Sequence, residues 1–299
     1  MSRNKQLFSS GDRVFNIIIN IFLFLCLALV LFPLLNVVAQ SFSSPASVIS
    51  GKVLFWPVNF SLEGYKNIIT NHDLLNGFLN SFIYTGLGTL ISLVLTLTGA
   101  YPLARKGFVG KKIFVWIFTF TMIFGGGLIP TYLLVRNMHM LDTIWAMVIP
   151  NAVAVWNLLI AKAFLENTIP EDLYEAAELD GCNDFKIFTS IIIPLSKPII
   201  AVLALFYAVG IWNNYFDALI YLSKGDKFPL QLVLRNILIQ TQMSTFVKAG
   251  SGQDQSQMMA LSELMKYCII VFSSLPVMLL YPFIQKYFVK GIMIGSVKG

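Results

Sequence analysis

The sequence is short of charge. Only 12% of its 299 residues are charged, whereas about a quarter of the residues in a soluble domain are. Hydrophobic residues make up 57% of the chain and the mean hydropathy is +0.74, so there are too few charges to coat a globule in water. This composition excludes a soluble enzyme and predicts a single membrane domain over residues 1–299.

Residue types that carry out catalysis or hold metals are also scarce. Cys26, Cys182 and Cys268 lie far apart without metal-ligand spacing, and the two histidines, His72 and His139, lie outside the apolar runs. The phosphate-binding pattern G-x-x-x-x-G-K-[ST] and the hydrolase patterns H-E-x-x-H and G-x-S-x-G do not occur. We therefore expect no catalytic residue, no metal and no cofactor in this chain.

Six apolar runs are long enough to cross a bilayer. About 20 residues, at a rise of about 1.5 Å each, span a hydrocarbon core about 30 Å thick. The runs hold almost no ionisable side chains, which proton- or cation-coupled carriers need along their path. They predict an all-α integral membrane protein with six transmembrane helices. Their approximate ranges are residues 14–39, 78–103, 113–135, 144–164, 199–222 and 267–288.

Positive charge sets the predicted orientation. With six helices, thirteen of the 21 Lys and Arg residues fall on the side that holds the N-terminus, and basic loops are usually cytoplasmic. The short, strongly basic segment at residues 105–112 belongs to this set. We therefore expect both termini in the cytoplasm. The net charge of +6 reflects these loops and does not predict nucleic-acid binding.

The predicted cytoplasmic segment at residues 166–197 is acidic, although cytoplasmic loops are usually basic. It holds seven of the 15 acidic residues in the chain. Thr168 and Glu171 have the spacing of a helical capping box, and Gly181 is placed to end that helix in a left-handed conformation. Residues 185–193 predict a second short helix. From these residues alone, a docking site for a partner protein and a solvated amphipathic helix are both open.

The acidic segment resembles the EAA loop of ATP-binding-cassette (ABC) importer permeases, whose pattern is E-A-A-x3-G-x9-I-x-L-P. One position departs from it, since Ile193 stands where Leu is usual. The matching residues are Glu175, Ala176, Ala177, Gly181, Ile191 and Pro194. Further motifs, among them Leu141-Asp142-Thr143 and Trp212-Asn213, are similar to carbohydrate-importer permeases related to the maltose system. Within that group the sequence is most similar to permeases for complex or modified oligosaccharides in Gram-positive bacteria.

The resemblance implies a type I (MetI-like) ABC permease fold in the bacterial plasma membrane. It implies an accessory first helix at about residues 14–39, a permease core at about 78–289 and a cytoplasmic coupling loop at about 166–197. The helix that holds Glu175, Ala176, Ala177 and Asp180 and ends at Gly181 would sit in an ATPase cleft. The tail at residues 295–299 would reach the ATPase dimer, and residues 223–266 would contact the solute-binding protein.

The same resemblance implies the partners. They are a second homologous permease, two copies of a cytoplasmic ATPase that binds ATP and magnesium, an extracellular solute-binding lipoprotein, and an oligosaccharide that is complex or chemically modified. The lipid bilayer surrounds the chain, and no nucleic acid is expected. Two alternatives stay open: an ABC permease for another class of solute, and a membrane scaffold protein that transports nothing.

Polar residues in the fourth and fifth apolar runs are candidates for the sugar path. Tyr207, Gly210, Asn214 and Asp217 would share one stripe of a continuous helix, and such groups are costly to expose to lipid. Further candidates are Asn213, Asn151 and Trp156. Contact with sugar and hydrogen bonding between helices are both open interpretations. In the third run, the triple glycine at residues 125–127 before Pro130 should weaken the helix.

Overall fold

A computed structural model describes residues 10–247 and 253–295 of the chain. Within these residues all regular secondary structure is helical. The first half contains α1 (Ser10–Ser41), α2 (Pro45–Ile49), α3 (Glu63–Thr70), α4 (His72–Ala104), α5 (Lys111–Ile123), α6 (Leu128–Asn137), α7 (Ile144–Val148) and α8 (Val155–Thr168). The second half contains α9 (Glu171–Leu179), α10 (Asp184–Ile187), α11 (Ile193–Leu195), α12 (Lys197–Trp212), α13 (Phe216–Tyr221), α14 (Leu230–Val247) and α15 (Gln253–Gly295). A π turn (Phe188–Ile192) joins α10 to α11, and a 3-10 turn (Gly225–Lys227) precedes α14.

Three of the described helices are long and apolar enough to cross a membrane by themselves. They cover Gly11–Ser41 in α1, His72–Ala104 in α4 and Met259–Leu280 in α15. Two further pairs pass the same test together: α5 with α6, bent by 110°, and Asp184–Leu195 with α12, bent by 80°. The described residues therefore give three candidate spans, or five if each bent pair counts as one. The predicted all-α membrane fold is confirmed, and this number is consistent with six helices.

The predicted third run is interrupted between α5 and α6. Gly127 has φ +86°, in the left-handed region where a residue with a Cβ is strained. Pro130 lies in the first turn of α6, where its missing N–H leaves no helical hydrogen bond unmade. The prediction that the glycines and this proline weaken the helix is confirmed.

The fourth and fifth runs also consist of shorter helices. Residues 149–154 separate α7 from α8 and contain Pro150, which cannot donate a backbone hydrogen bond. In the fifth run α12 ends at Trp212. The side-chain oxygen of Asn214 then accepts the backbone N–H of Asp217 at 3.1 Å, so a new helix begins at Phe216. The predicted stripe from Tyr207 to Asp217 is therefore wrong, because it required one continuous helix.

The chain divides into two compact units, and the prediction of one domain stays a prediction. The first unit comprises Met1–Thr70 and Leu238–Phe272. In its described part, α3 packs very closely on α15. A Cβ added to Gly64 would lie 2.3 Å from the Cys268 sulfur, and that thiol donates a hydrogen bond to the Ser41 carbonyl at 3.2 Å. The hydroxyl of Tyr65 donates to Ser41 Oγ at 2.8 Å.

The second unit comprises Asn71–Ile237 and Ser273–Gly299. Its core lies where α4 packs against α8 and α12, with Leu158, Leu165 and Leu203 almost completely buried. The acidic segment joins the same core through Ile187 and Ile192. Burial of these side chains therefore ties the predicted coupling loop to the membrane helices.

The contact between α3 and α15 leads to a stability prediction. Gly64→Ala should lower the free energy of unfolding by about 1–3 kcal/mol, because the added methyl group overlaps the Cys268 sulfur. The double variant Gly64→Ala/Cys268→Ala should recover most of this loss. Thermal unfolding of the detergent-solubilised protein measures both effects. Gly86→Ala is the matched control, since a Cβ at Gly86 meets nothing within 4 Å. A double variant no more stable than Gly64→Ala would contradict steric overlap as the cause.

Candidate functional site

The predicted coupling helix is α9, and it starts two positions later than a capping box of Thr168 with Glu171 would place it. Ile169 and Pro170 are both extended, and Pro170 occupies the N-cap position without a side-chain cap. Thr168 is the last residue of α8. The predicted capping box of Thr168 with Glu171 is therefore wrong, because the residue before a proline avoids the helical conformation.

The end of α9 matches the prediction. Gly181 has φ +75°, and the backbone N–H of Cys182 donates to the Ala177 carbonyl at 2.9 Å. This is the hydrogen-bond pattern of a helix that ends in a left-handed residue. A Cβ at Gly181 would meet nothing within 4 Å. The glycine is therefore needed for its backbone conformation and not for close packing.

The second half of the acidic segment anchors it. Ile187 and Ile192 are each 1% exposed, although they are five residues apart. Residues five apart return to the same side in a π turn, and such a turn covers Phe188–Ile192. Ile191 packs against the same core, while Pro194 is exposed in the first turn of α11. These two motif residues therefore belong to the anchor and not to α9.

Basic residues of the 105–112 segment pair with the acidic loop. Arg105 Nη2 lies 2.5 Å from Glu178 Oε1, and the guanidinium lies 4.3 Å from the centre of the Tyr174 ring. Glu166 forms ion pairs with Lys111 and, at 2.7 Å, with Lys162. Burial raises the pKa of Glu166, but hydrogen bonds from the two lysines outweigh burial and lower it overall. Part of the acidic charge is thus neutralised within the chain.

The exposed side of α9 carries further acidic residues. Asp172, Glu175 and Asp180 have no Lys or Arg nitrogen within 4.0 Å among the described residues. Next to them, Leu179 is 90% exposed and Phe185 is 75% exposed. We call the surface formed by these five residues the docking face. Exposed apolar side chains with a charged rim are typical of protein–protein contacts.

Sequence reasoning identified the acidic part of the docking face and missed its apolar part. Ala176 is exposed beside Glu175, whereas Ala177 is buried. Leu179 and Phe185 stand on either side of the Gly181 turn. Two large apolar residues that flank a predicted helix end in a polar loop indicate a contact surface, and this signal could have identified Leu179 and Phe185.

A polar cluster lies where the fourth and fifth runs are interrupted. Asp217 Oδ2 accepts a hydrogen bond from Asn151 Nδ2 at 2.7 Å and another from Asn214 Nδ2 at 2.5 Å. The structure thus brings together three of the predicted path residues from two separate helix breaks. We call Asn151, Asn214 and Asp217 the amide–carboxylate cluster. Asn151 is exposed and the other two are half-buried.

The remaining path candidates do not join this cluster. Tyr207 is 5% exposed; its hydroxyl lies 2.6 Å from Thr96 Oγ1 and accepts the backbone N–H of Ala154 at 3.2 Å. It therefore joins α4, α12 and the start of α8, which is the interhelical alternative considered for it. Asn213 donates to the Val209 carbonyl of its own helix, and Trp156 is 62% exposed.

Asp142, part of one of the resemblance motifs, connects two loops. Its Oδ1 accepts backbone N–H groups of Ser223 at 2.6 Å and of Lys224 at 3.2 Å. Its own N–H donates to the Tyr221 carbonyl at 3.0 Å. The hydrogen bond from Ser223 is the main reason that the pKa of Asp142 lies below its usual value. The loops after α6 and α13 are therefore held together.

The chain was also compared with known proteins. Residues 108–294 match the family described as "Binding-protein-dependent transport system inner membrane component". The chain belongs to this family. It is a membrane permease of the ABC-importer type, so the predicted family is confirmed.

Similar proteins support the assignment over nearly the whole chain. The Bacillus subtilis polygalacturonan/rhamnogalacturonan transport system permease protein YtcP is 40% identical, over 96% of this chain and 99% of its own. Protein LplC of the same organism is 39% identical over 97% of each chain. A bacterial ABC transporter involved in importing the acidic polysaccharide alginate has a chain with TM-score 0.84 and 30% identity, covering 95% of this chain and all of its own. This likeness confirms the predicted fold.

Removal of the Tyr207 hydroxyl tests its structural role. Tyr207→Phe should lower the free energy of unfolding by about 1 kcal/mol, because the Ala154 N–H loses its acceptor. Thermal unfolding checks this loss, and substrate affinity should not change. Variant Thr96→Val should destabilise the protein to a similar degree. Normal stability combined with a loss of substrate affinity would show instead that the hydroxyl contacts the substrate.

A charge swap tests the ion pair between Arg105 and Glu178. Arg105→Glu should destabilise the protein, since it places like charges together and removes the stacking on Tyr174. Adding Glu178→Arg should restore about 0.2–1 kcal/mol, the range for partly exposed pairs. Thermal unfolding of the four proteins gives the coupling. Lys106→Glu serves as the control, because Lys106 is largely exposed and lies 4.0 Å from Glu171. Strict additivity of the two changes would refute a specific pair.

Proposed function

We propose that this chain is one of two homologous permease subunits that form the membrane path of an ATP-driven oligosaccharide importer. The names of similar proteins support the cargo class. They include the transporter of polygalacturonan and rhamnogalacturonan, a permease for melibiose, raffinose and stachyose, and the alginate importer. All of these cargoes are carbohydrates. The complex sits in the bacterial plasma membrane with both termini of this subunit in the cytoplasm.

The amide–carboxylate cluster is the observation that carries the proposed path. Interrupted helices leave backbone groups that lipid cannot satisfy, so they occur within a membrane only where protein or water surrounds them. In transporters, substrate sites form at such breaks. Asn151, Asn214 and Asp217 offer donors and an acceptor to sugar hydroxyls at two breaks. Asn213 and Trp156 are exposed and remain candidates for the path, whereas Tyr207 holds the helices together.

The docking face of α9 and α10 is the proposed contact with the ATPase. Two copies of a separate cytoplasmic ATPase bind ATP and magnesium, and one of them receives this face. Its acidic groups, Asp172, Glu175 and Asp180, suit Arg or Lys of the partner. The buried side chains of Ile187 and Ile192 connect the face to the core formed by α4, α8 and α12. Closure of the ATPases would therefore move these helices together with α9.

The oligosaccharide reaches the permease from the extracellular side of the membrane. A solute-binding lipoprotein outside the cell delivers the oligosaccharide, and the segment at residues 223–266 contacts it. Of that segment the structure describes residues 223–247 and 253–266. Of the tail that we expect to reach the ATPase dimer, residues 295–299, only Gly295 lies within the described residues. The permease supplies the path and the mechanical connection, and ATP hydrolysis takes place in the ATPases.

The proposed coupling is tested at Glu175. Glu175→Lys reverses the charge at the centre of the docking face, so it should reduce ATP-driven sugar uptake about tenfold or more, the loss for one charged contact of about 1.5–3 kcal/mol. Uptake and ATPase activity are measured with the complete complex in proteoliposomes. Gly181→Val should act likewise by straining the left-handed turn.

Glu63→Lys provides the matched control, because it makes the same charge change in the first turn of α3. Membrane insertion and thermal unfolding of the three variants are compared with those of the parent protein. Normal uptake by both Glu175→Lys and Gly181→Val would contradict the coupling role. A complex that hydrolyses ATP but moves no sugar of any kind would contradict the oligosaccharide path, and flux of another solute class would replace it.

A further inference from the structure

Arg235 is a cation within an apolar helical segment. It lies in α14, whose first part, Leu230–Ile239, is an apolar helix of sub-membrane length. The residues just before it, Leu232, Val233 and Leu234, are buried, whereas Arg235 itself is half-buried. A guanidinium in such a position is normally paired with a carboxylate, since an unpaired charge is costly to bury.

The carboxylate that would pair with Arg235 is missing from the described residues. No Asp or Glu oxygen among them lies within 4.0 Å of its side chain. Its guanidinium carbon instead lies 5.8 Å from the centre of the Tyr215 ring. This is the outer limit of a cation–π contact, and it leaves the planar fork of N–H donors free for another group.

Tyr215 places this arginine beside the proposed sugar path. Tyr215 lies in the break between α12 and α13, directly after Asn214, and 43% of its surface is exposed. The nearby Asp217 carboxylate already has two amide partners on Oδ2. An anionic group entering this region would therefore find one cation with free donors, an exposed ring, and amide groups within the same helix break.

The combination of these groups has a specific chemistry. An aromatic ring offers an apolar face on which a sugar ring can lie. A guanidinium binds a carboxylate through two parallel hydrogen bonds, which is stronger and more directional than its contact with a hydroxyl. Amide side chains serve the remaining hydroxyls. A carboxylate-bearing sugar, such as a uronic acid, uses all three features, whereas a neutral sugar leaves the guanidinium without its best partner.

We propose that Arg235 and Tyr215 form a binding site for the carboxylate-bearing sugar of an acidic oligosaccharide. This inference rests on the proposed function and deepens it: the permease itself, and not only the solute-binding protein, selects acidic over neutral cargo. Arg235 binds the carboxylate, Tyr215 contacts the sugar ring, and the amide–carboxylate cluster contacts hydroxyls of the same chain.

The test measures binding to the complete permease–ATPase complex in detergent, without the solute-binding protein. The probes are trigalacturonate and the neutral galactotriose, which have the same length. The parent complex should bind trigalacturonate at least about tenfold more tightly, as expected for a charged bidentate contact. Arg235→Gln should remove this preference and leave galactotriose binding unchanged. Arg235→Lys should keep part of it, because it retains the charge without the fork.

Two further variants distinguish a local binding site from a general effect of positive charge. Tyr215→Leu should weaken both probes, since the ring contacts the sugar whether or not it is charged. Arg136→Gln, the matched control, removes an exposed arginine of α6 that has no Asp or Glu oxygen within 4.0 Å among the described residues. It should leave the preference intact. An equal loss with Arg136→Gln would show that the preference comes from overall charge and would overturn the proposal.

Other results overturn the inference without affecting the proposed function. Equal binding of the two probes by the parent complex would do so, as would binding of neither probe. Equal weakening of both probes by Arg235→Gln would show a structural or lipid-binding role for the arginine. ATP-driven uptake of trigalacturonate and of galactotriose in proteoliposomes is measured in parallel. Uptake without any preference refutes the acidic site alone, whereas the absence of uptake of any sugar refutes the proposed function.

Discussion

The need to satisfy every backbone hydrogen bond inside a membrane shapes this protein. A continuous helix meets it alone, as α1 and α4 do. Each interrupted helix needs side chains to compensate. Asn214 accepts the N–H of Asp217 in the first turn of α13, and the Tyr207 hydroxyl accepts the N–H of Ala154 before α8. Asn214 therefore both compensates a helix break and belongs to the proposed transport path, whereas Tyr207 has only the first of these roles.

The proposed coupling places two requirements on the acidic segment. Its docking face must stay exposed to a partner, while its inner side must move with the membrane helices. Ion pairs with Arg105 and Lys111 and the burial of Ile187 and Ile192 act on the inner side. Each ion pair alone is weak because it is partly solvated. Burial of the two isoleucines therefore provides most of the rigidity of the connection.

Sequence periodicity predicted much of this architecture. It located the long helices, the weakened third run and the left-handed turn at Gly181, because each depends on residues close together in the chain. It failed where distant residues decide. Asn151 and Asp217 are 66 residues apart and belong to different helix breaks, so no local pattern reveals their contact. The stripe through Tyr207 failed because a side-chain hydrogen bond at Asn214 interrupts a helix that hydropathy alone would continue.

The π turn at Phe188–Ile192 has a consequence for the evolution of the loop. It contains one residue more than an α-helical turn needs, and this surplus brings both Ile187 and Ile192 into the core. If the same residues formed an α-helical turn instead, everything beyond it would rotate by about 100°. Ile192 would swing out of the interior, and α12 would leave in a new direction. Relatives that lack one residue here should therefore have an α-helical turn in its place, which keeps both isoleucine positions on one face.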